Sequence, residues 1–375
     1  MLRKFVLLFS MFVVLIPVKA QNNDAKTVLF LIPFFCGETD SFSVSNMETP
    51  MDIYNDPRFS LISFWQGAQL ALEEFVSSNK SVNVIVRDIT QDNAKLIALL
   101  EDETLMKNVD LIIGPFFARQ FEVAENYALK YKIPIVNPFT TKRSILTNNP
   151  YVYKVSNNHT AMPNLLEEKW KKSNFPQLIV WHEKNTENTD YKLYTDYFRQ
   201  HDIPYQDVVV GEGKSLMSWL HSDRPQWVVA LLKSDPMVIS QMRNLGVENN
   251  FPNTLFFIPK GWLSINELEI DYLNKLNVHF FSPDFVDYDA TDDLLFISDF
   301  IEKKSTPPDL NTYTFQGYDI TKYFLDLMFN DFDHAKVKVK PVAMKFDFVK
   351  IENGGYENQG VFLLQLKDFS IQLSE

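Results

Sequence analysis

The sequence predicts an α/β protein built as two doubly wound parallel-sheet lobes, hinged and separated by a cleft. Three observations predict it. Short apolar runs rich in β-formers alternate with amphipathic stretches up to about residue 137, and the same alternation restarts after Ser156. The length, 375 residues, matches two domains of ordinary size. Such alternation gives a parallel sheet covered by helices on both faces.

The elements follow in order. Arg3 and Lys4 precede an apolar run over 5–18, and Val18-Lys19-Ala20 offers small residues for cleavage. This pattern predicts a secretory signal peptide over 1–20 and hence a periplasmic location. The run is shorter than the roughly 20 apolar residues that span a bilayer, so the mature chain is not expected to insert in a membrane. Cys36 lies too far downstream for lipid attachment at the cleavage point. Losing Arg3, Lys4 and Lys19 with the peptide takes the net charge from −12 to −15. So acidic a chain repels nucleic acid and anionic lipid, which argues against both as partners. One cysteine cannot make an intrachain disulfide, so stability must come from apolar burial.

The run 28–33 is continuously apolar, as in a strand buried on both faces. Phe64, Ala68, Leu72 and Phe75 then recur at helical spacing. A strand over 82–86, a helix over 94–106, a strand over 111–113 closed by Gly114-Pro115, a helix around 124–131 and a strand over 133–136 complete the first series. The second series has a helix at 165–171 and strands at 177–181, 207–210, 227–232, 254–258 and 278–281. Helices over 292–303 and 313–329 come next. The chain ends in strands at 342–349, 361–366 and 369–373, which read as hairpins.

Several motifs now stand in a telling order: Phe64-Trp65-Gln66-Gly67 opening a helix, Arg87-Asp88 with Asp92, and Asp110-Leu111-Ile112-Ile113-Gly114-Pro115. Ile133-Pro134-Ile135-Val136-Asn137-Pro138 and a late Gly317-Tyr318-Asp319 follow. The chain resembles the type I periplasmic binding proteins, the superfamily of branched-chain amino-acid receptors and related sensory domains, over nearly its whole length. The resemblance implies three crossings between lobes, placed near Ser156, Pro283 and Lys338. Lobe 1 would then be 25–155 plus 284–337, and lobe 2 would be 156–283 plus 338–375. The segment 37–59 is long for a strand-to-helix connection and reads either as a lip over the cleft or as a surface insertion.

Ligands of open parallel sheets bind beyond the carboxyl ends of the strands. The expected lobe 1 wall is Phe34, Phe35, Phe64, Trp65, Gly114, Pro115, Phe116, Asn137, Phe139, Thr140 and Thr141. Lobe 2 would contribute Trp181, His182, Lys233, Ser234, Pro259 and Lys260. An aromatic wall suits an apolar, aromatic or sugar-like small molecule. Phe35, Phe116 and Phe139 read equally as core residues. Where amino-acid receptors carry a hydroxyl after the third strand, this chain has Phe116-Phe117-Ala118. Where they carry an acid for the ligand ammonium, it has Lys260, which argues against an ordinary α-amino acid. If Lys260 faces the cleft it favours an anionic or carbonyl-rich ligand; otherwise it is a solvated loop residue.

The six histidines show no helical pairing and no His-Glu-x-x-His, so neither a metal nor another cofactor is expected. Cys36 lacks an evident base and reads as a small buried residue. Gly211-Glu212-Gly213-Lys214-Ser215 echoes a phosphate loop but has Val208 where that motif needs glycine, so it reads as a turn. No enzyme is expected. Two functions remain. One is an ABC-transporter-associated or sensory solute receptor with a membrane permease as partner. The other is a cell-envelope interaction protein without transport, similar to the domain fused to LysM modules and to activators of peptidoglycan synthases.

Overall fold

The computed structural model describes residues 25–36, 57–78, 80–90, 92–156, 160–184, 188–213, 215–248, 251–309 and 312–374. The expected signal peptide and most of the expected lip, 37–56, lie outside the described residues. No described helix is long and apolar enough to cross a membrane.

The first series runs β1 (Lys26–Ile32), α1 (Pro57–Ser77), β2 (Val82–Asp88), α2 (Asn93–Leu100), α3 (Glu103–Met106), β3 (Leu111–Ile113), α4 (Ala118–Tyr131), β4 (Ile135–Asn137) and β5 (Val152–Lys154). The second runs α5 (Ala161–Lys172), β6 (Gln177–His182), α6 (Thr189–Gln200), β7 (Gln206–Val209), β8 (Gln226–Leu231), α7 (Asp235–Glu248), β9 (Thr254–Phe257), α8 (Ile270–Lys275) and β10 (Val278–Ser282). Then come α9 (Thr291–Lys304), α10 (Tyr313–Phe329), β11 (Phe348–Lys350), β12 (Tyr356–Asn358), β13 (Phe362–Lys367) and β14 (Ser370–Leu373). Side chains start several helices: Asp92 accepts from Ala94 N at 2.8 Å, Asp102 from Thr104 N at 2.9 Å, and Asn188 from Tyr191 N at 3.1 Å.

Two seven-stranded sheets result, ordered β11-β12-β5-β4-β3-β1-β2 and β14-β13-β10-β9-β8-β6-β7. Their central strands are parallel, and the order reverses between β1 and β3 in one sheet and between β6 and β8 in the other. Each sheet is covered on both faces, which accounts for the unbroken apolar runs. Val28, Phe30 and Ile32 pack with Phe64 of α1 and Phe324 of α10, while Leu29 and Leu31 face Leu96 of α2 and Phe121 of α4. In the second sheet Ile179 and Trp181 meet Met242 of α7, and Leu178 and Val180 meet Tyr194 and Phe198 of α6.

Helices α1 and α10 touch at their backbones. A Cβ on Gly67 would stand 1.9 Å from Thr314 O, and one on Gly317 would stand 1.9 Å from Phe64 O. Both contacts are far inside van der Waals range, so only glycine permits this crossing. Beside it, the buried Asp319 carboxylate accepts the N–H groups of Val342, Ala343 and Met344 at 2.7, 2.8 and 2.8 Å. Thus α10 pins the segment that returns from it.

That segment corrects the expected boundary. The whole of 338–375 was expected in lobe 2, but β11 and β12 enter the first sheet and only β13 and β14 enter the second. Strand β12 completes the open edge of β5 in parallel register, with Tyr356 opposite Tyr153. The change of sheet therefore falls at Gln359-Gly360-Val361, and 342–344 is held by Asp319 instead of forming a strand. The ending hairpin is present as β13–β14, antiparallel to each other and to β10.

Two of the crossings are joined by a buried ion pair. Lys154 Nζ lies 3.3 Å from Glu357 Oε1, with both side chains fully buried, and donates to Ser156 O at 2.5 Å. Gln359 Nε2 donates to Glu357 Oε2 at 3.2 Å, and Arg143 Nε stands 3.4 Å from the same carboxylate oxygen. At the remaining crossing, Asp284 bridges to Met344, and Phe285 N donates to Ala343 O at 2.8 Å.

Candidate functional site

A pocket of about 300 Å³ opens over the carboxyl ends of the second sheet. Its floor is Val229–Leu231 of β8, Phe257 and Ile258 at the end of β9, and Phe281 and Pro283 around the end of β10. Met162 of α5 and Leu193 and Tyr194 of α6 form a wall, and the polar groups are Asp190 and Lys260. The volume is at the lower bound for small-molecule sites, and an apolar lining with few polar groups is their usual character.

Lys260 begins a 3-10 turn, Lys260–Ser264. Its ammonium donates to Ser282 Oγ at 2.8 Å and to Asp284 Oδ1 at 3.0 Å, and the side chain is half exposed. The other Asp284 oxygen accepts from Thr312 Oγ1 and Gln316 Nε2, each at 3.3 Å. One carboxylate thus ties a lobe 2 lysine to the start of α10 on lobe 1. Asp190 pairs with Lys233. Burial, aided by the Asp190 charge, pushes the Tyr194 phenol up, so it stays neutral.

Of the lobe 2 residues expected from sequence, Pro259 and Lys260 line this pocket, and Lys233 reaches it only through Asp190. Trp181 is a core residue under α7. His182 is buried and satisfied: Nε2 lies 3.1 Å from Asp207 Oδ1, Nδ1 2.8 Å from Glu183 O, and the ring stacks on Tyr191 at 3.9 Å. Ser234 is exposed, with its N–H on Glu183 Oε1 at 3.0 Å.

The lobe 1 residues gather at the carboxyl ends of β1, β3 and β4, yet none lines the pocket. The N–H groups of Phe34, Phe35 and Cys36 all donate to the Asp88 carboxylate, at 2.9, 3.1 and 2.9 Å. Phe35 is buried at φ 52°, and Cys36 is exposed, against the expectation of a buried residue. Gly114 has φ +97°, a conformation disfavoured for side-chain-bearing residues, and precedes a cis bond to Pro115. Phe64, Phe116 and Phe139 meet edge to face, with centroids 4.8 to 5.8 Å apart, and Phe139 continues to Tyr313 at 5.4 Å. Phe116 is therefore core, whereas Phe139 and Trp65 are half-buried at its margin. Asn137 is fully buried: Nδ2 donates to Pro115 O at 2.8 Å, while Oδ1 accepts from Phe139 N at 3.1 Å and Thr140 N at 2.7 Å. It clamps two loops together and has no free group for a ligand. Thr140 is buried with Oγ1 accepting from Lys142 N at 3.2 Å, and Thr141 is exposed.

Sequence reasoning missed Met162, Asp190, Leu193, Tyr194, Phe257 and Phe281. Phe257 and Phe281 end strands that were expected, so the strand-end rule applied to side-chain alternation would have found them. The α6 residues required knowing which helix face meets the sheet.

No protein-family model matches the sequence, and no curated protein shows significant similarity to it. Solved structures do match. A protein from Rhodospirillum rubrum described as a branched-chain amino acid ABC transporter superposes with TM-score 0.63 at 13% identity, over 93% of this chain and 100% of that one. A branched-chain amino acid ABC transporter periplasmic ligand-binding protein from Burkholderia xenovorans gives 0.55 at 11% identity, over 93% and 94%. An ABC transporter substrate-binding protein from Desulfitobacterium hafniense gives 0.54 at 12% identity, over 94% and 100%. The chain has the type I periplasmic-binding-protein fold, two lobes around a cleft.

Proposed function

We propose that this chain is an exported solute receptor that binds a small molecule in its cleft, seated first on the lobe 2 pocket, and delivers it to a membrane permease or sensor. The observation that carries this reading is the apolar pocket at the carboxyl ends of β8, β9 and β10, with Lys260 at its mouth. Met162, Leu193, Phe257 and Phe281 suit a hydrocarbon or aromatic body, and Lys260 suits a carboxylate or carbonyl on it. Closure would follow because a ligand bridging both lobes makes its full contacts only in the closed state. The three crossings supply the hinge.

A thermal-shift screen of branched, aromatic and keto acids tests this. A cognate ligand at a hundredfold excess over Kd adds about 2.7 kcal/mol and raises Tm by several degrees. Lys260→Ala should remove most of that rise. If no small molecule stabilises the chain and native mass spectrometry finds none co-purified, the receptor reading fails.

One observation favours the envelope-interaction reading instead: Lys260 is already paired with Asp284, and no described lobe 1 residue lines the pocket. Solution scattering separates the two. A receptor contracts with its ligand, while an interaction protein keeps one shape and captures a cell-wall synthase.

A further inference from the structure

We propose a second binding site, for a carboxylate-bearing sugar, at the opposite end of the first lobe from the cleft. A pocket of about 540 Å³ lies at the amino-terminal ends of β3, β4, β5 and β12. Four tyrosines line it, Tyr131, Tyr151, Tyr153 and Tyr356. Among the described residues none of their hydroxyls has a hydrogen-bond partner, and that of Tyr131 is buried as well. Buried polar groups are ordinarily satisfied, so the buried, unpartnered Tyr131 phenol points to a ligand, and the other three hydroxyls, open to solvent, are available to the same ligand.

The walls are aromatic rings. Tyr356 stacks on Tyr153 at 4.7 Å and 4°, and Phe332 lies 6.2 Å from Tyr153. Two lysines complete the rim. Lys350 Nζ sits 5.2 Å over the Tyr356 ring, and neither it nor Lys132 forms an ion pair among the described residues. The acid in the lining, Asp110, is engaged elsewhere, accepting Thr27 N at 2.7 Å and Lys26 Nζ at 3.3 Å. In a chain of net charge −12 this is a local surplus of cations and donors.

The combination selects among ligand classes. Aromatic faces accept the C–H face of a sugar ring as readily as another ring. Phenols both donate and accept, as sugar hydroxyls do, whereas an aromatic acid would leave most of them unmatched. Exposed rim lysines without an ion-pair partner among the described residues favour an anion, which a neutral sugar lacks.

Calorimetric titration of the full chain with trigalacturonate tests the proposal, with maltotriose and benzoate as comparisons. Trigalacturonate should bind saturably, and maltotriose and benzoate at least tenfold more weakly. Lys350→Ala should weaken trigalacturonate about tenfold or more, as expected for losing a charged hydrogen bond. Tyr131→Phe, which removes only the unpartnered hydroxyl, should also weaken it without lowering Tm. Lys260→Ala, in the other lobe, should leave it unchanged. The proposal is overturned if trigalacturonate gives no saturable heat, if either comparison binds as tightly, or if Lys260→Ala weakens binding while Lys350→Ala does not.

Discussion

Replacing Lys154 with methionine should destabilise the protein by about 3 kcal/mol, the lower part of the range for breaking a buried ion pair. The ammonium holds the Glu357 carboxylate at 3.3 Å and the Ser156 carbonyl at 2.5 Å, with no solvent at either side chain. Burial holds Lys154 below the usual lysine range and Glu357 opposes that effect, so each partner depends on the other. Methionine leaves a buried carboxylate served only by Gln359 Nε2 at 3.2 Å and by Arg143 at 3.4 Å, the latter from a side chain facing solvent. These contacts keep the cost near the bottom of the range. Lys154→Met with Glu357→Leu removes both charges and should recover to within about 1 kcal/mol of the parent, because paired apolar replacements are often neutral. Urea unfolding of the parent, both single variants and the double variant gives the coupling energy directly. A Lys154→Met cost below about 1 kcal/mol, or a double variant as unstable as the summed singles, would refute the reasoning.

Other outcomes follow from the same structure. Gly317→Ala must push α10 off α1, since its Cβ would lie 1.9 Å from a backbone oxygen, and should lower stability by about 3 kcal/mol or more in urea. Asp319→Asn turns an amide toward at least one of three backbone N–H groups and should cost about 1–3 kcal/mol by the same assay. Burial, with Glu122 beside it, pushes the Glu125 carboxyl up to about 7 from 4.5. The folded state therefore binds the extra proton, and this contribution to stability is complete below pH 4.5 and lost as pH rises through 7. Tm should decline across that window, and Glu125→Gln should flatten the decline; an unchanged profile in the variant would remove Glu125 as its source.

The central strands were legible because burial on both faces writes a continuous apolar run, as in 28–32 and 178–181. Helix α10 has the bounds expected, Tyr313–Phe329, although it is buried on nearly every side. Strand β5 was not legible, because Val152-Tyr153-Lys154 is too short for any period and ends in a lysine whose partner is 203 residues away. The same long range hid β12, whose Tyr-Glu-Asn carries no strand signal and is defined by what it pairs with. At the site, strand ends were placed correctly, but side-chain direction was not. Asn137 and His182 occupy strand ends and look available for ligand, yet their hydrogen bonds are spent on neighbouring loops. Whether a polar residue at a strand end is a clamp or a contact depends on those loops, which no local pattern encodes.

The return of β11 and β12 to the first sheet decides when the first lobe can finish folding. Until residue 358 is free to fold, β5 presents an unpaired edge and Lys154 has no counter-charge, so the first-encoded half cannot finish before nearly everything after it is available. Such late completion leaves that edge open for longer and makes the chain depend on protection from aggregation meanwhile.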